Sequence, residues 1–442
     1  MTGVLAAPRV RGALSDPLWR SAYSLMLNSA ATGVLGLVFW IVAARVESSA
    51  HVGQASALIA AMMTLSSISQ LNLANVITRF LPQAGARARR WILIAYGLAV
   101  LATILGAGVF LAVVPDLGKQ LGLMRRDALL AVVFVLTTAL WSIFGLQDAV
   151  MTALRRAPWI PLENSLFGVL KLAFLPALAG AAVANAIFIS WMLPMVLLLV
   201  PVNYLIFRRF VPEHMRRHPE SPPVSELLPS RRVRRFLAAD YLGSVLQQAA
   251  LALPPLLVVA LLGSGENAYF YVPFMLVTSF DTLFFNASTS LVVEGAFGDV
   301  SVGQLTRRVA RRYATLLLPG VLILIVAAPL LLLPFGSAYV AHGTEVLRLL
   351  ALASLCRVTI SLFAAVARVQ GAGGHIMAVY AAVAALLAPL LILFGRSLGI
   401  EGAALAWLAA NAVAAVAVVP ALVRIVRTGA RRRAHPQPGL AA

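Results

Sequence analysis

The sequence predicts an all-α polytopic membrane protein with about twelve transmembrane helices, arranged as two six-helix bundles related by an internal repeat. Three observations carry that prediction. Hydrophobic residues make up 61% of the 442 positions and charged residues only 12%, which no soluble core of this size requires. The apolar residues fall in about a dozen stretches, each near the roughly 20 residues that a helix needs to cross ~30 Å of hydrocarbon, and helices satisfy their own backbone in lipid. The formal charge of +19 comes from arginines that punctuate those stretches instead of lining one face, so membrane topology explains it and nucleic acid does not.

Taken in order, Asp16 and Pro17 supply a helix cap and first turn for a span over 18–44, with Trp19 and Trp40 near its ends, where the membrane interface favours tryptophan. Further spans are expected over 52–80, 91–114, 127–150, 160–183 and 185–207, closing an N-terminal bundle over 1–207. Then comes RRFVPEHMRRHPESPPVSELLPSRRVRR, residues 208–235, whose eight arginines and five prolines no bilayer interior would hold. It reads as a basic cytoplasmic linker with its arginine pairs at the headgroup level. The C-terminal bundle, 236–424, has spans over 236–262, 268–293, 313–333, 345–367, 376–394 and 401–423, and a cytoplasmic tail follows over 425–442. The N-terminus shows no short apolar core followed by a small-residue cleavage site, so no cleaved signal peptide is expected.

Charge sets the orientation. With the N-terminus inside, 27 of the 35 basic residues fall in cytoplasmic segments and six in external loops, which predicts two cytoplasmic termini, and the use of arginine almost to the exclusion of lysine with abundant alanine suggests a GC-rich bacterial genome and so a bacterial plasma membrane. The halves echo one another: VGQASAL from Val52 answers SGENAYF from Ser264, and ALRRAP from Ala153 answers ARVQGAGG from Ala367. A six-plus-six repeat of this kind usually places a substrate path at the interface between the halves.

Enzyme signatures are missing from the sequence. No GxxxxGK[ST] loop occurs, and GAGGH at Gly371 follows no strand and matches no dinucleotide fingerprint. His51, His214, His218, His342, His375 and His435 never take metal-ligand spacing on one helix, so neither a metal nor a cofactor is expected. Cys356, the single cysteine, lies in an apolar segment and reads as a small buried residue. The expected external loops are also too short for a membrane glycosyltransferase.

The ionisable residues inside spans remain, each costing about 2.5 to 3.5 kcal/mol at a helix centre. Lys171 lies near the middle of the fifth span, about 15 Å from either interface, beyond the reach of its own stem. Arg357 is near the centre of the tenth span and Asp281 near the centre of the eighth. Two readings are open: a structural ion pair, or a water-filled substrate cavity. If Asp281 pairs with Arg357, Lys171 is left as an unpaired cation able to receive an anion. Asp240, Asp148 and Glu163 sit nearer the cytoplasmic ends, where headgroups would solvate them. Asn28, Asn72, Asn75, Gln247, Gln248 and Asn286 add hydrogen-bonding groups, with interhelical bonding as their plainer role. Prolines within or near spans, Pro176 and Pro194 among them, suit kinked helices.

The run VGQASALIAAMMTLSSISQLNLANVITRFLP from Val52, preceded by a span ending in VAARV and followed by LENSLFGVLKLAF, resembles bacterial polysaccharide flippases. These O-antigen and exopolysaccharide translocases belong to the multidrug/oligosaccharidyl-lipid/polysaccharide exporter superfamily. The resemblance implies movement of a polyprenyl-pyrophosphate-linked oligosaccharide from the cytoplasmic to the outer leaflet, for lipopolysaccharide or exopolysaccharide biosynthesis. It also implies alternating access, with cations meeting the pyrophosphate or an acidic sugar. Lys171, Arg357, Asp281, Asn28, Asn72, Asn75, Gln247 and Asn286 are the candidate cavity residues. Membrane lipid, and polysaccharide polymerase or export proteins, are the expected partners. Drug exporters of the superfamily typically carry an acid in the first span, and none lies between Asp16 and Glu47 here. Lipid II flippases usually have fourteen spans and several arginines in the first two, where this chain shows twelve spans and in the first two only Arg20 and Arg79, both near a cytoplasmic end. The alternatives are a cation-coupled small-molecule exporter and a non-transporting scaffold of a glycan assembly complex.

Overall fold

Residues 17–113, 128–217, 219, 231–297, 302–370 and 372–431 are described by the structure, a computed structural model. Every regular element among them is helical. The helices are α1 (Pro17–Val46), α2 (Ser49–Ser69), α3 (Leu73–Phe80), α4 (Ala88–Val113), α5 (Ala128–Ala153), α6 (Ile160–Gly180), α7 (Ala186–Leu205) and α8 (Val211–Arg217). After these come α9 (Arg231–Leu262), α10 (Ser264–Phe297), α11 (Val302–Val326), α12 (Ala328–Leu332), α13 (Ser337–Val369) and α14 (Gly373–Arg431).

Nine helical segments among the described residues are long and apolar enough to cross a membrane. α1 and α10 are 30 and 34 residues long, the length that a further crossing would need. α14 runs for 59 residues, and at about 1.5 Å per residue it would be near 90 Å long, three times the hydrocarbon thickness. It must therefore turn. The turn is Gly399 (φ 63°, ψ −141°), a left-handed backbone that glycine adopts without steric cost, and it divides the segment into two helical arms. The arms pack tightly over it, since a Cβ on Gly402 would overlap the Phe394 carbonyl. Large apolar side chains such as Leu105, Leu129, Val200, Leu322 and Val416 stand exposed, as a lipid-facing surface requires.

The chain forms two compact units. Among the described residues, the first takes those of 17–47, 61–113 and 128–219, and the second takes 48–60 and those from 231 to 431. A core cluster of the first unit gathers Ile92, Leu146, Met151, Ile160, Ile206 and Phe210 around the turn between α5 and α6.

Two expected elements differ in the structure. The span expected over 52–80 is two helices, α2 and α3, separated at Leu71 (φ 49°) and Asn72 (φ 60°). Asparagine tolerates the left-handed region better than most residues, and its place after an apolar run hides the break from hydropathy. Gly145 on α5 faces this break, where an added Cβ would come within 2.7 Å of the Gln70 amide. The linker expected over 208–235 is helical at both ends: α7 continues through a π-helical turn (Ile206–Phe210) into α8, and α9 already begins at Arg231. Glu213 holds the first of these extensions, pairing with Arg156 and, one turn on, with Arg217 at 2.7 Å. Except for residue 219, positions 218–230 lie outside the described residues.

Candidate functional site

In the first unit, the close approach of two helices prepares the site. Gly168 on α6 has no side chain, and a Cβ there would come within 2.6 Å of Leu35 on α1. One turn further along both helices, this proximity brings Phe39 of α1 to Lys171 of α6, placing its ring centroid 4.9 Å from the ammonium. Phe167, four residues before Lys171 on the same helical face, lies at 5.2 Å, and Trp191 of α7 at 3.7 Å. Trp141 and Trp40 pack against Trp191 with tilted rings. Lys171 is only 5% exposed, and among the described residues it has no carboxylate partner. Three ring faces offer it cation–π attraction of about 2 kcal/mol or more in a desolvated site. An aromatic cage thus surrounds the Lys171 side-chain nitrogen without giving it a carboxylate among the described residues.

In the second unit, Asp281 of α10 forms an ion pair with Arg357 of α13, whose guanidinium also lies 5.2 Å over the Trp407 ring. They line a cavity of about 190 Å³ together with Gln247, Gln248, Tyr380 and Asn411. Arg357 and Asp281 are mutually compensated here, the case in which Lys171 remains the unpaired cation. Breaking a buried pair leaves one charge stranded, so Arg357→Ala or Asp281→Ala alone should destabilise by about 3–5 kcal/mol. The double variant should recover most of that loss in thermal unfolding, and a strictly additive double variant would show that the pair contributes nothing.

No family model matches the sequence, and no curated protein matches it either. Solved structures do. The chain is similar to the inward-facing conformation of a multidrug resistance MATE family transporter of the MOP superfamily, with a TM-score of 0.68 and 13% identity over 92% of this chain and 95% of that one. It is also similar to a MOP superfamily transporter from Pyrococcus furiosus described as having a binding pocket of reversed polarity (TM-score 0.61, 14% identity, 96% and 98% coverage). A third likeness is to the lipid II flippase MurJ in an inward closed conformation (TM-score 0.62, 12% identity, 91% and 90% coverage). The fold is that of the MOP-superfamily transporters.

On this MOP-type fold the other expected site residues are scattered. Gln247 shares the cavity of Asp281 and Arg357, whereas Asn28 sits on α1 of the first unit. Its backbone carbonyl accepts from Thr32 Oγ1 at 2.7 Å, and its side-chain oxygen has no partner among the described residues. Asn72 forms the break between α2 and α3. The side chains of Asn75 and Asn286 lie outside the described residues.

Three acids expected at solvated cytoplasmic ends are placed differently. Asp240 is bonded to Arg368 Nε at 3.0 Å, with both side chains largely covered. Glu163 is 5% exposed and Asp148 half-buried, and the two lie in one polar cluster with Gln147, Asn164 and Asn203. The helical hairpin around Arg155 folds them together, so that side-chain amides bond both carboxyl groups. Sequence reasoning also missed a buried hydroxyl chain, Ser66–Ser142–Thr103, with oxygens 3.1 and 2.7 Å apart. Single serines and threonines in apolar helices carry no signal that they will meet.

Proposed function

We propose that the protein is a flippase of the bacterial cytoplasmic membrane. On this reading it carries a polyprenyl-pyrophosphate-linked oligosaccharide from the cytoplasmic to the outer leaflet by alternating access, for cell-surface polysaccharide synthesis. The observation that carries the proposal is Lys171: a buried cation in an aromatic cage, with no carboxylate partner among the described residues. A pyrophosphate supplies the complementary charge and strong acceptor oxygens. The first span has no acid between Asp16 and Glu47, which sets it apart from the drug-exporting pattern, and one fold neighbour is itself described as a lipid II flippase. On this reading the basic loops and both termini face the cytoplasm, and the bundles over 1–207 and 236–424 are the two halves of the transport cycle. Membrane lipid and the polymerase or export proteins of the same glycan would be its partners.

A second reading, a cation-coupled exporter of small molecules, draws support from the buried Asp148–Glu163 cluster and from the MATE neighbours. Depletion of the protein separates the two. A flippase leaves lipid-linked oligosaccharide accumulating on the cytoplasmic leaflet, and unchanged leaflet distribution of every lipid-linked glycan would rule it out. A scaffold would likewise show no change when Lys171 alone is replaced.

A further inference from the structure

The turn between α5 and α6 builds a basic cavity that plays no part in the function proposed above. Arg155 follows the last turn of α5 in a left-handed conformation (φ 59°), which costs a residue with a Cβ about 1–2 kcal/mol. Its amide donates to the Thr152 carbonyl at 3.0 Å, and the Arg156 amide donates to the Met151 carbonyl at 2.7 Å. The reversal sets two consecutive arginines on one cavity of about 320 Å³, which Phe210, Glu213, His214 and Arg217 also line. Glu213 of α8 is bonded to both Arg156 and Arg217 and holds their guanidiniums in place. Arg156 is fixed further by the Phe210 ring, whose centroid lies 5.2 Å from the guanidinium carbon. Arg155 has no acid partner among the described residues. Three guanidiniums against one carboxylate leave a surplus of positive charge, and their planar forks match phosphate oxygens.

Two observations say that the phosphate belongs to a lipid. Trp159 packs against Phe210, with ring centroids 5.9 Å apart, and is 37% exposed, as suits an indole at the membrane–water interface. Met215, the residue after His214 on α8, lines a second cavity with Arg89, Arg90, Leu93 and Ile94. From there Ile94, Leu98, Leu101 and Leu105 stand exposed at helical spacing along α4, one apolar stripe leading away from the arginines. Cations at headgroup depth beside an apolar stripe are what an anionic phospholipid fits.

We propose that this basic cavity binds a phospholipid carrying two phosphates, of the cardiolipin class, with an acyl chain along the α4 stripe. Two phosphates match the surplus charge of the three guanidiniums, which one phosphodiester would leave half satisfied. The site is independent of what the protein transports.

Thermal unfolding of the purified, delipidated full chain tests it, with cardiolipin, phosphatidylglycerol, phosphatidylcholine and inorganic phosphate each titrated at constant ionic strength. Cardiolipin should raise Tm saturably. Phosphatidylglycerol should need about tenfold more phosphate for half its effect, and phosphatidylcholine and inorganic phosphate should have none. Arg155→Gln should raise the half-saturating cardiolipin concentration about tenfold or more, the worth of a charge-assisted hydrogen bond. Arg208→Gln removes the same charge from an exposed arginine that lines neither cavity, and should shift that concentration by no more than about twofold. Arg217→Gln should act as Arg155→Gln does, and decides should Arg155→Gln fail to fold. The proposal is overturned by no rise with cardiolipin, or by an equal rise with any of the other three at the same phosphate concentration. Equal weakening by Arg155→Gln and Arg208→Gln also overturns it, since general surface charge would then account for the binding.

Discussion

Replacing Lys171 with methionine should abolish most glycan export while raising the stability of the protein. The two effects have opposite signs because the ammonium costs free energy in the apolar cage and is useful only to an anionic substrate. Removing a buried cation in favour of an apolar side chain of similar length should stabilise by about 1–4 kcal/mol, seen as a higher Tm in detergent. Losing a charge-assisted hydrogen bond to a bound pyrophosphate, about 1.5–3 kcal/mol, should reduce transport about tenfold to hundredfold. Lys171→Arg should retain part of the activity, since a guanidinium also stacks on aromatic rings but presents its donors in a planar fork. A Lys171→Met variant that transports normally would refute the anion site. One that inserts poorly would show that the ammonium holds the cage together, because a structural cation lowers stability when removed.

A large loss of stability should come from adding one methyl group at Gly53. The first turns of α2 meet the start of α10 within the second unit, and a Cβ on Gly53 would overlap the Ser264 carbonyl and come within 2.9 Å of the Ala268 nitrogen. Those are backbone atoms, so no rotamer change can make room. The helices would have to part, breaking the bonds from Asn267 Nδ2 to the Gly53 carbonyl (2.8 Å) and to Ser56 Oγ (3.0 Å). Overpacking with the loss of two buried hydrogen bonds should cost about 3–5 kcal/mol in Gly53→Ala. Gly97 on α4 is the control, because a Cβ there meets nothing within 4 Å. Gly97→Ala should be neutral, or more stable by up to about 1 kcal/mol through helix propensity. Equal melting of the two variants would remove the packing argument.

The crossings were legible because hydropathy over 20 residues is a strong one-dimensional signal that survives errors at helix ends. Lys171 was legible as a lone cation for the same reason, and so was the conditional pairing of Asp281 with Arg357, since both are costly without a partner. The cage was not. Phe167 is reachable by helical spacing, but Phe39 and Trp191 come from α1 and α7, and nothing local in either helix indicates which face meets α6. Asp148 and Glu163 were misplaced because distance along a span was read as depth towards solvent. In the folded chain QD at 147–148 and EN at 163–164 flank the ALRRAP turn almost symmetrically, and pairing across the turn buries them against Tyr96 and Asn203. Two acid–amide dipeptides on either side of a helical hairpin are a signal that could have been read. The break at Leu71 and Asn72 leaves no such trace, because hydropathy does not register a left-handed residue.

Gly399 has a consequence for how the chain is made. Where most of its membrane helices are separated by polar residues that can linger outside the translocation channel, the last two share a single turning residue. Arg396 and Glu401, both exposed beside it, are the only charges available to hold the turn at the surface. The earlier of the two arms therefore has no loop on which to pause, and the pair is expected to enter the bilayer together as one hairpin during synthesis.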